Sequence, residues 1–148
     1  SGEPDAVEAV GLLAKRDGAA RVVPLNVAGA FHSPLMEPAS ADLARAIDDA
    51  PFAEGYAAVV ANLDAVPSSQ PEATKAKLKQ QLYSPVRWAD SIRAMQALGV
   101  TRFWELGPGR TLTGILRQLD RAAIGVNLGS RRAVEAMVAE HAATAQVV

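Results

Sequence analysis

The sequence predicts a mixed α/β fold with a largely parallel sheet. Short apolar runs of strand length alternate along the chain with longer segments whose apolar residues recur every three or four positions. Such alternation is typical of folds in which helices connect parallel strands. No internal repeat or low-complexity tract interrupts the pattern. At 148 residues the chain is long enough to bury a core.

Six segments are predicted helices, because their apolar residues fall on one face or because their composition favours a helix. They cover residues 5–17, 34–49, 72–82, 88–98, 111–119 and 131–141. Gly18 and Gly99 are expected to end the first and the fourth of them. The segment 72–82 contains three lysines, Lys75, Lys77 and Lys79. We expect an exposed basic face there, with docking of an acidic partner as the open alternative.

Four segments are predicted strands, at residues 21–27, 58–63, 102–106 and 123–128. In the first, Val23, Leu25 and Val27 alternate with their neighbours, as in a strand with one apolar face. Pro24 cannot donate to a ladder, so this strand is expected at a sheet edge or at a bulge. The second is a continuous apolar run, which is typical of a strand buried on both faces.

His32 directly follows the first predicted strand, and it is one of only two histidines in the sequence. Ser33 and Pro34 after it form the pattern of a helix N-cap and a first-turn proline. We therefore expect His32 at the carboxyl end of a strand, where α/β folds place their chemistry. From residue types alone, a structural role is more common for such a histidine than a catalytic one, because no partner nucleophile is identified.

Composition excludes several classes of function. The net charge is −1, which gives no electrostatic reason to bind nucleic acid or an anionic membrane. The sequence has no cysteine and no His, Asp and Glu spacing typical of a metal site, so we expect no metal. It has no apolar run long enough to span a bilayer, and a cytoplasmic location fits. His141 is expected to be exposed, and residues 142–148 are expected to fray.

Known catalytic motifs are mostly missing from the sequence. It contains no Gly-x-Ser-x-Gly elbow and no glycine-rich phosphate loop. Gly107-Pro108-Gly109 precedes a predicted helix whose N-terminus could hold an anion. A plain turn between a strand and a helix is the favoured interpretation of these three residues.

Three motifs, in this order and at suitable intervals, resemble malonyl-CoA:acyl carrier protein transacylases and, more broadly, the acyltransferase domains of polyketide synthases. They are VAGAFHSPLM at residues 27–36, QLYSPVRW at 81–88 and ELGPGRTL at 105–112. The resemblance extends over about residues 1–140, and the first two motifs are specific to that family.

The resemblance implies that this chain is the C-terminal half of a longer enzyme. Residues 1–30 would then be the last helix and strand of a small ferredoxin-like subdomain. Residues 31–148 would be the C-terminal part of an α/β-hydrolase-like subdomain with a parallel sheet. The N-terminal half would contain the nucleophilic serine in a Gly-His-Ser-x-Gly motif, which is absent here. The opening residues, Ser1-Gly2-Glu3-Pro4, fit a chain that begins partway through that enzyme.

The same resemblance implies transfer of a malonyl group from coenzyme A to the phosphopantetheine thiol of acyl carrier protein, in a ping-pong reaction of fatty-acid biosynthesis. His32 would be the general base, and the backbone carbonyl of Gln81 would orient its ring. Phe31 would crowd the position of an α-methyl group and so favour malonyl over methylmalonyl. No covalently bound cofactor is expected, and the substrates are malonyl-CoA and phosphopantetheinyl acyl carrier protein.

Two other functions stay open. One is a non-catalytic remnant that binds a carrier protein or a partner subunit, and the other is an acyltransferase domain of a polyketide synthase. Phe31 could also simply pack under its loop, since an apolar wall discriminates one methyl group by only about 1–3 kcal/mol. Because no serine of this sequence lies in an elbow motif, we expect the chain by itself to be inactive.

Overall fold

Six α-helices, one 3₁₀ helix and four short strands make up the described part of the chain. The computed structural model describes the backbone of residues 1–145 and the side chains of residues 1–140. The elements in order are α1 (Pro4–Arg16), the 3₁₀ helix (Pro34–Ala39), α2 (Ser40–Asp49), β1 (Val59–Val60), β2 (Pro67–Ser68), α3 (Pro71–Gln81), α4 (Trp88–Ala97), β3 (Arg102–Leu106), α5 (Thr111–Leu119), β4 (Ile124–Leu128) and α6 (Arg131–Ala145). One compact unit covers Ser1–Ala94, and a second begins at Met95.

The predicted helices are confirmed, with one change in their number. The segment 34–49 divides into the 3₁₀ helix and α2. Pro38 lies inside the 3₁₀ helix, and its missing N–H and its ring prevent a regular α-helical hydrogen bond there. α6 continues to Ala145, four residues beyond the predicted end. The side chain of His141 and residues 146–148 lie outside the described part, so the expectations for them stay predictions.

The second unit contains the parallel pairing that the sequence predicted. β3 and β4 pair in parallel, with Trp104 opposite Val126. Among the described residues of this unit, Leu116 of α5 and Leu128 of β4 are the buried apolar ones. A Cβ atom added at Gly125 would lie 3.2 Å from Leu116 Cδ2, so glycine lets α5 approach the strand closely. Leu112, Ile115 and Leu119 on the same helix stay partly exposed, because among the described residues only two strands lie under the helix.

The prediction of a buried strand at 58–63 is wrong. Only Val59–Val60 forms a strand, and it pairs antiparallel with Pro67–Ser68. The chain reverses between them, since Ala65 has a φ of 60° and the Asp64 carboxylate accepts a hydrogen bond from Val66 N. Val59 is half exposed, so the strand is not covered on both faces.

The prediction of a strand at 21–27 is also wrong for the described residues. This segment has no strand assignment and no backbone hydrogen bond to another described segment. Leu25 is 78% exposed, and Val23 and Val27 are exposed as well. Alternating residues favour an extended chain, but a strand also needs a neighbour to pair with.

The first unit buries Ile47, Ala65 and Ile92. Within it, α2 packs against α3 and against the 3₁₀ helix. The expected division at residue 30 concerns the subdomains of a longer enzyme and stays a prediction. In the part of the chain that the structure describes, no helix combines the length and the apolar character that a membrane crossing needs.

Candidate functional site

His32 lies in the turn that leads into the 3₁₀ helix. It does not end a strand, as had been expected, because residues 21–27 form none. Its φ is 64°, in the left-handed region that residues other than glycine rarely adopt. Such backbone strain costs about 1–3 kcal/mol, and it is found most often at functional sites. The imidazole is exposed.

Two consecutive carbonyl groups at the end of α3 hold His32. Its backbone N–H donates to the Leu82 carbonyl at 2.9 Å. Its Nδ1 lies 2.9 Å from the Gln81 carbonyl oxygen, across 49 positions of sequence. A carbonyl can only accept a hydrogen bond, so Nδ1 carries the hydrogen and the neutral ring has its lone pair on Nε2. The structure thus brings together two of the residues that the sequence singled out.

Ser33 does not act as the helix cap that the sequence predicted. It occupies the position before the 3₁₀ helix, but its side chain makes no capping hydrogen bond. The hydroxyl group is buried and donates to the Ala30 carbonyl at 2.6 Å. Oγ therefore closes the turn that contains His32, a use that the local sequence pattern does not distinguish from a cap.

Phe31 directly precedes His32 in the sequence, and 41% of the residue is exposed. A Cβ atom added at Gly29 would lie 3.5 Å from Phe31 Cε2 and 3.7 Å from Met36 Sδ. The aromatic ring thus covers the glycine on one side and is accessible on the other.

The three lysines of α3 do not form the exposed basic face that the sequence predicted. Lys77 pairs with the Asp64 carboxylate at 3.1 Å and donates to the Val66 carbonyl at 2.8 Å. Its side chain is only 15% exposed. Lys79 pairs with Asp48 at the end of α2.

Lys75 also contacts other residues of the protein and is not only in contact with solvent. Its Nζ lies 3.4 Å from the Asp48 carbonyl oxygen and 5.4 Å from the centre of the Phe52 ring. Together the lysines fasten α3 to α2 and to the β1–β2 turn. The helix that supplies both partners of His32 is therefore anchored on one side, and this reduces the basic surface left for an acidic partner.

Asp64 has a pKa below its ordinary value. Partial burial raises the pKa, but the hydrogen bond from Val66 N and the contact with Lys77 lower it by more. The carboxylate is thus stabilised in its charged form, which strengthens the connection between the turn and α3.

In the second unit, Glu105 holds the start of α5. Its Oε1 accepts from Leu112 N at 3.0 Å, and its Oε2 accepts from Thr113 N at 2.9 Å and from Thr113 Oγ1 at 2.8 Å. The backbone N–H of Thr113, then that of Leu112, lowers the pKa of Glu105. These N–H groups are the ones an anion would use, so the turn interpretation of residues 107–109 fits better than an anion site.

Asn127 on β4 completes this arrangement. Its Nδ2 donates to the Gly109 carbonyl, and its Oδ1 accepts from Gly129 N at 3.2 Å. The roles of Glu105 and Asn127 were not predicted from the sequence. A polar residue within each apolar strand was the available signal. Among the described residues, no group of three or more His, Asp or Glu side chains could hold a metal ion.

Known proteins of one kind resemble this chain. It is 41% identical over 121 residues to the malonyl CoA-acyl carrier protein transacylase of Bacillus subtilis, a match that covers 82% of this chain and 38% of that protein. An acyl-carrier-protein-S-malonyltransferase structure from Bartonella henselae superposes with a TM-score of 0.85 at 34% identity. It covers 93% of this chain and 44% of that one.

A second solved structure contains a type II PKS acyl-carrier protein in complex with its malonyl-transacylase. Its TM-score is 0.83 at 34% identity, over 89% of this chain and 43% of that chain. No protein-family model matches the sequence.

By fold, the chain is a mixed α/β protein of the kind seen in S-malonyltransferases. By sequence, it belongs to the malonyl CoA-acyl carrier protein transacylase family. It spans about two-fifths of the length of the curated relatives it matches.

Proposed function

We propose that this chain supplies the general base of a malonyl-CoA:acyl carrier protein transacylase, and that His32 is that base. The observation that supports the proposal is the 2.9 Å contact between His32 Nδ1 and the Gln81 carbonyl oxygen. It leaves the Nε2 lone pair available on an exposed ring, which is the state a general base needs.

In the proposed reaction, Nε2 takes the proton of a serine hydroxyl as that oxygen attacks the thioester of malonyl-CoA. The proton then passes to the departing coenzyme A thiolate. The product of this half-reaction is a malonyl-serine ester. In the second half-reaction, Nε2 takes the proton of the carrier protein's phosphopantetheine thiol as the sulfur attacks the malonyl-serine ester. The imidazolium then returns this proton to the departing serine oxygen. The sequence of steps is ping-pong.

The Gln81 carbonyl, as part of this proposal, replaces the carboxylate of a Ser-His-Asp triad. It fixes the tautomer and the direction of the ring, but as a neutral group it stabilises the imidazolium less than a carboxylate would. Since a backbone atom accepts the hydrogen bond, replacement of the Gln81 side chain does not remove the acceptor itself.

The nucleophilic serine is proposed to come from the Gly-His-Ser-x-Gly motif of an N-terminal half, which these 148 residues do not contain. With that half, residues 1–30 would complete a ferredoxin-like subdomain and residues 31–148 an α/β-hydrolase-like one. The substrates would be malonyl-CoA and phosphopantetheinyl acyl carrier protein, without a bound cofactor, in the cytoplasm. The relative solved with an acyl-carrier protein supports that choice of partner.

Two alternatives remain, and the observations favour only the first of them. An acyltransferase of polyketide synthesis is favoured by the structural relative that serves a type II PKS. A carrier-protein-binding remnant would need a basic surface, and the ion pairs of Lys77 and Lys79 count against the surface that we had considered for it.

The test is a chimera in which this chain replaces the matching region of the Bacillus subtilis relative, assayed with malonyl-CoA and holo acyl carrier protein. His32→Ala should lower the rate of acyl transfer by roughly 10³-fold or more, as for other deletions of a general base. His141→Ala is the matched control and should have little effect. An active chimera whose His32→Ala variant keeps near-normal turnover would remove His32 from the mechanism.

A further inference from the structure

The side chain of Gln81 closes the turn that follows α3. Its Nε2 donates to the Ser84 carbonyl at 3.2 Å and to the Pro85 carbonyl at 3.3 Å. Both partners only accept hydrogen bonds, so the amide nitrogen of Gln81 must face them. The side chain therefore spans the turn from its first residue to its last.

The backbone of Gln81 takes part in the same turn. The carbonyl oxygen that faces His32 Nδ1 also accepts from Ser84 N, at a long 3.4 Å. Two hydrogen bonds thus join Gln81 and Ser84: the backbone carbonyl of Gln81 accepts one, and the side-chain amide of Gln81 donates the other. The weaker backbone contact alone would leave the direction of that carbonyl loosely fixed.

The helix itself cannot fix this carbonyl. Carbonyl groups in the last turn of a helix lack an intrahelical partner. A regular helical hydrogen bond to Gln81 O would have to come from residue 85, which is a proline without an N–H. Another group must therefore hold the turn, and the Gln81 amide is placed to do so.

We propose that the Gln81 side chain is a positioning residue: by bridging Ser84 and Pro85 it directs its own backbone carbonyl at His32 and so selects the Nδ1–H tautomer. The proposal rests on the proposed function only in treating that ring as the general base. Gln81 touches no reacting atom. Its side chain acts through the backbone carbonyl of the same residue, so both the side chain and the backbone of Gln81 contribute to the orientation of the His32 ring.

The test is the tautomer of His32, read by nitrogen-15 NMR of the 148-residue chain labelled at histidine. A His141→Gln background leaves a single imidazole to observe. Gln81→Met keeps the length and the helix propensity of glutamine but removes the donor. We expect a roughly five-fold fall in the ratio of Nδ1–H to Nε2–H tautomer, the change that follows from loss of about one ordinary hydrogen bond.

Gln80→Met is the matched control, because Gln80 Nε2 donates only within α3, to the Ala76 carbonyl at 3.3 Å. It should leave the tautomer ratio unchanged. An unchanged ratio in Gln81→Met would overturn the proposal. If Gln81→Met does not fold, the comparison passes to Gln81→Lys, which retains a donor, and Gln81→Glu, which presents only acceptors when ionised. The proposal then requires a higher ratio in Gln81→Lys, and equal ratios refute it.

This readout does not depend on acyl transfer. If His32 is not the base, the tautomer ratio still responds to Gln81→Met as long as the positioning role is correct. If the positioning role is wrong, the ratio stays constant while the chimera still loses activity in His32→Ala. The two proposals can therefore fail separately.

Discussion

At the scale of single residues, the site combines a strained histidine with partners that hold it in place. The left-handed backbone of His32 is compensated by the hydrogen bond of its N–H to Leu82 and by the buried Ser33 hydroxyl beneath the turn. Any one of these contacts is worth only about 1 kcal/mol net. Together they offset the cost of an unfavourable φ and fix the imidazole where two segments meet.

Phe31 is the residue whose change should alter specificity rather than rate. Its exposed ring next to His32 is expected to crowd the α-methyl of methylmalonyl-CoA. In the active chimera, Phe31→Ser should lower the preference for malonyl over methylmalonyl by about 10- to 200-fold, the range that one methyl-sized contact supplies. Competition between the two thioesters, followed by mass spectrometry of the acylated carrier protein, gives the ratio directly.

Phe52→Ser is the control for this experiment, because Phe52 contacts Lys75 instead of the histidine turn. It should leave the substrate preference unchanged. A preference that is the same in wild type and in Phe31→Ser would mean that Phe31 only packs under its loop.

At the scale of elements, α3 is the helix on which the site depends. It reaches His32 through its C-terminal carbonyls, and it is anchored through Lys77 and Lys79 to the chain on its other side. The sequence pattern of alternating lysines predicted solvent contact for all three. Long aliphatic stems let lysine cross a partly buried surface and place its charge on a distant acceptor, and composition alone cannot reveal this.

Lys77→Met should destabilise the chain by about 1–2 kcal/mol, because it leaves the Asp64 carboxylate and the Val66 carbonyl without their shared donor. The expected loss of free energy of unfolding is small because the Asp64 side chain is partly exposed, and water screens its charge. Urea unfolding followed by circular dichroism measures it. Lys15→Met on α1, where the lysine is exposed, is the control and should change the unfolding midpoint little. Equal midpoints for the two variants would contradict an anchoring role of Lys77.

Glu105 makes the stability of the second unit depend on pH. Its pKa is lowered in the folded state by the backbone N–H groups of Thr113 and Leu112. Because the pKa is lower in the folded state, the ionised carboxylate stabilises the fold at pH values above the ordinary glutamate pKa. This stabilisation is lost as the pH falls through the pKa of the folded state. The unfolding midpoint should therefore fall on acidification below about pH 4, and this fall should be smaller in Glu105→Gln.

Glu135→Gln is the matched control for this pH series. Glu135 pairs with Arg131 on the exposed surface of α6 and accepts no backbone N–H in the described structure. Its variant should follow the wild-type pH dependence. If Glu105→Gln follows that dependence as well, the start of α5 is not held by the charged carboxylate.

At the scale of the whole molecule, many apolar side chains are left uncovered. α1 has no buried residue, and Val10 and Leu12 on it are more than half exposed. Trp104 and Leu106 of β3 are exposed too. Large apolar side chains left exposed on more than one element favour a contact with further protein. It fits a chain that spans about two-fifths of the length of its relatives.

The isolated 148-residue chain should not be acylated by malonyl-CoA. None of its serines lies in an elbow motif, so the sequence supplies no activated hydroxyl group to hold the malonyl group. Intact-mass spectrometry after incubation should show the unmodified 15.5 kDa species alone. Addition of a polypeptide with the Gly-His-Ser-x-Gly motif should give a malonyl adduct on that polypeptide. A stable adduct on the 148-residue chain would contradict the proposed division of roles.

Much of the local structure follows from the sequence alone. Helical periodicity or composition located α1 and α3 to α6, and apolar runs located β3 and β4, because these elements are specified by neighbouring residues. The motifs at residues 27–36 and 81–88 also identified the family and selected His32, Phe31 and Gln81 as site residues.

The contacts between distant segments became clear from the tertiary structure and not from the sequence pattern. Residues 21–27 have the pattern of a strand but find no partner in the described chain. The Lys77–Asp64 pair and the contact of His32 with Gln81 join residues far apart in sequence. Periodicity reports which face of a segment is apolar, whereas pairing, ion pairs and a hydrogen bond across 49 positions depend on how separate segments pack.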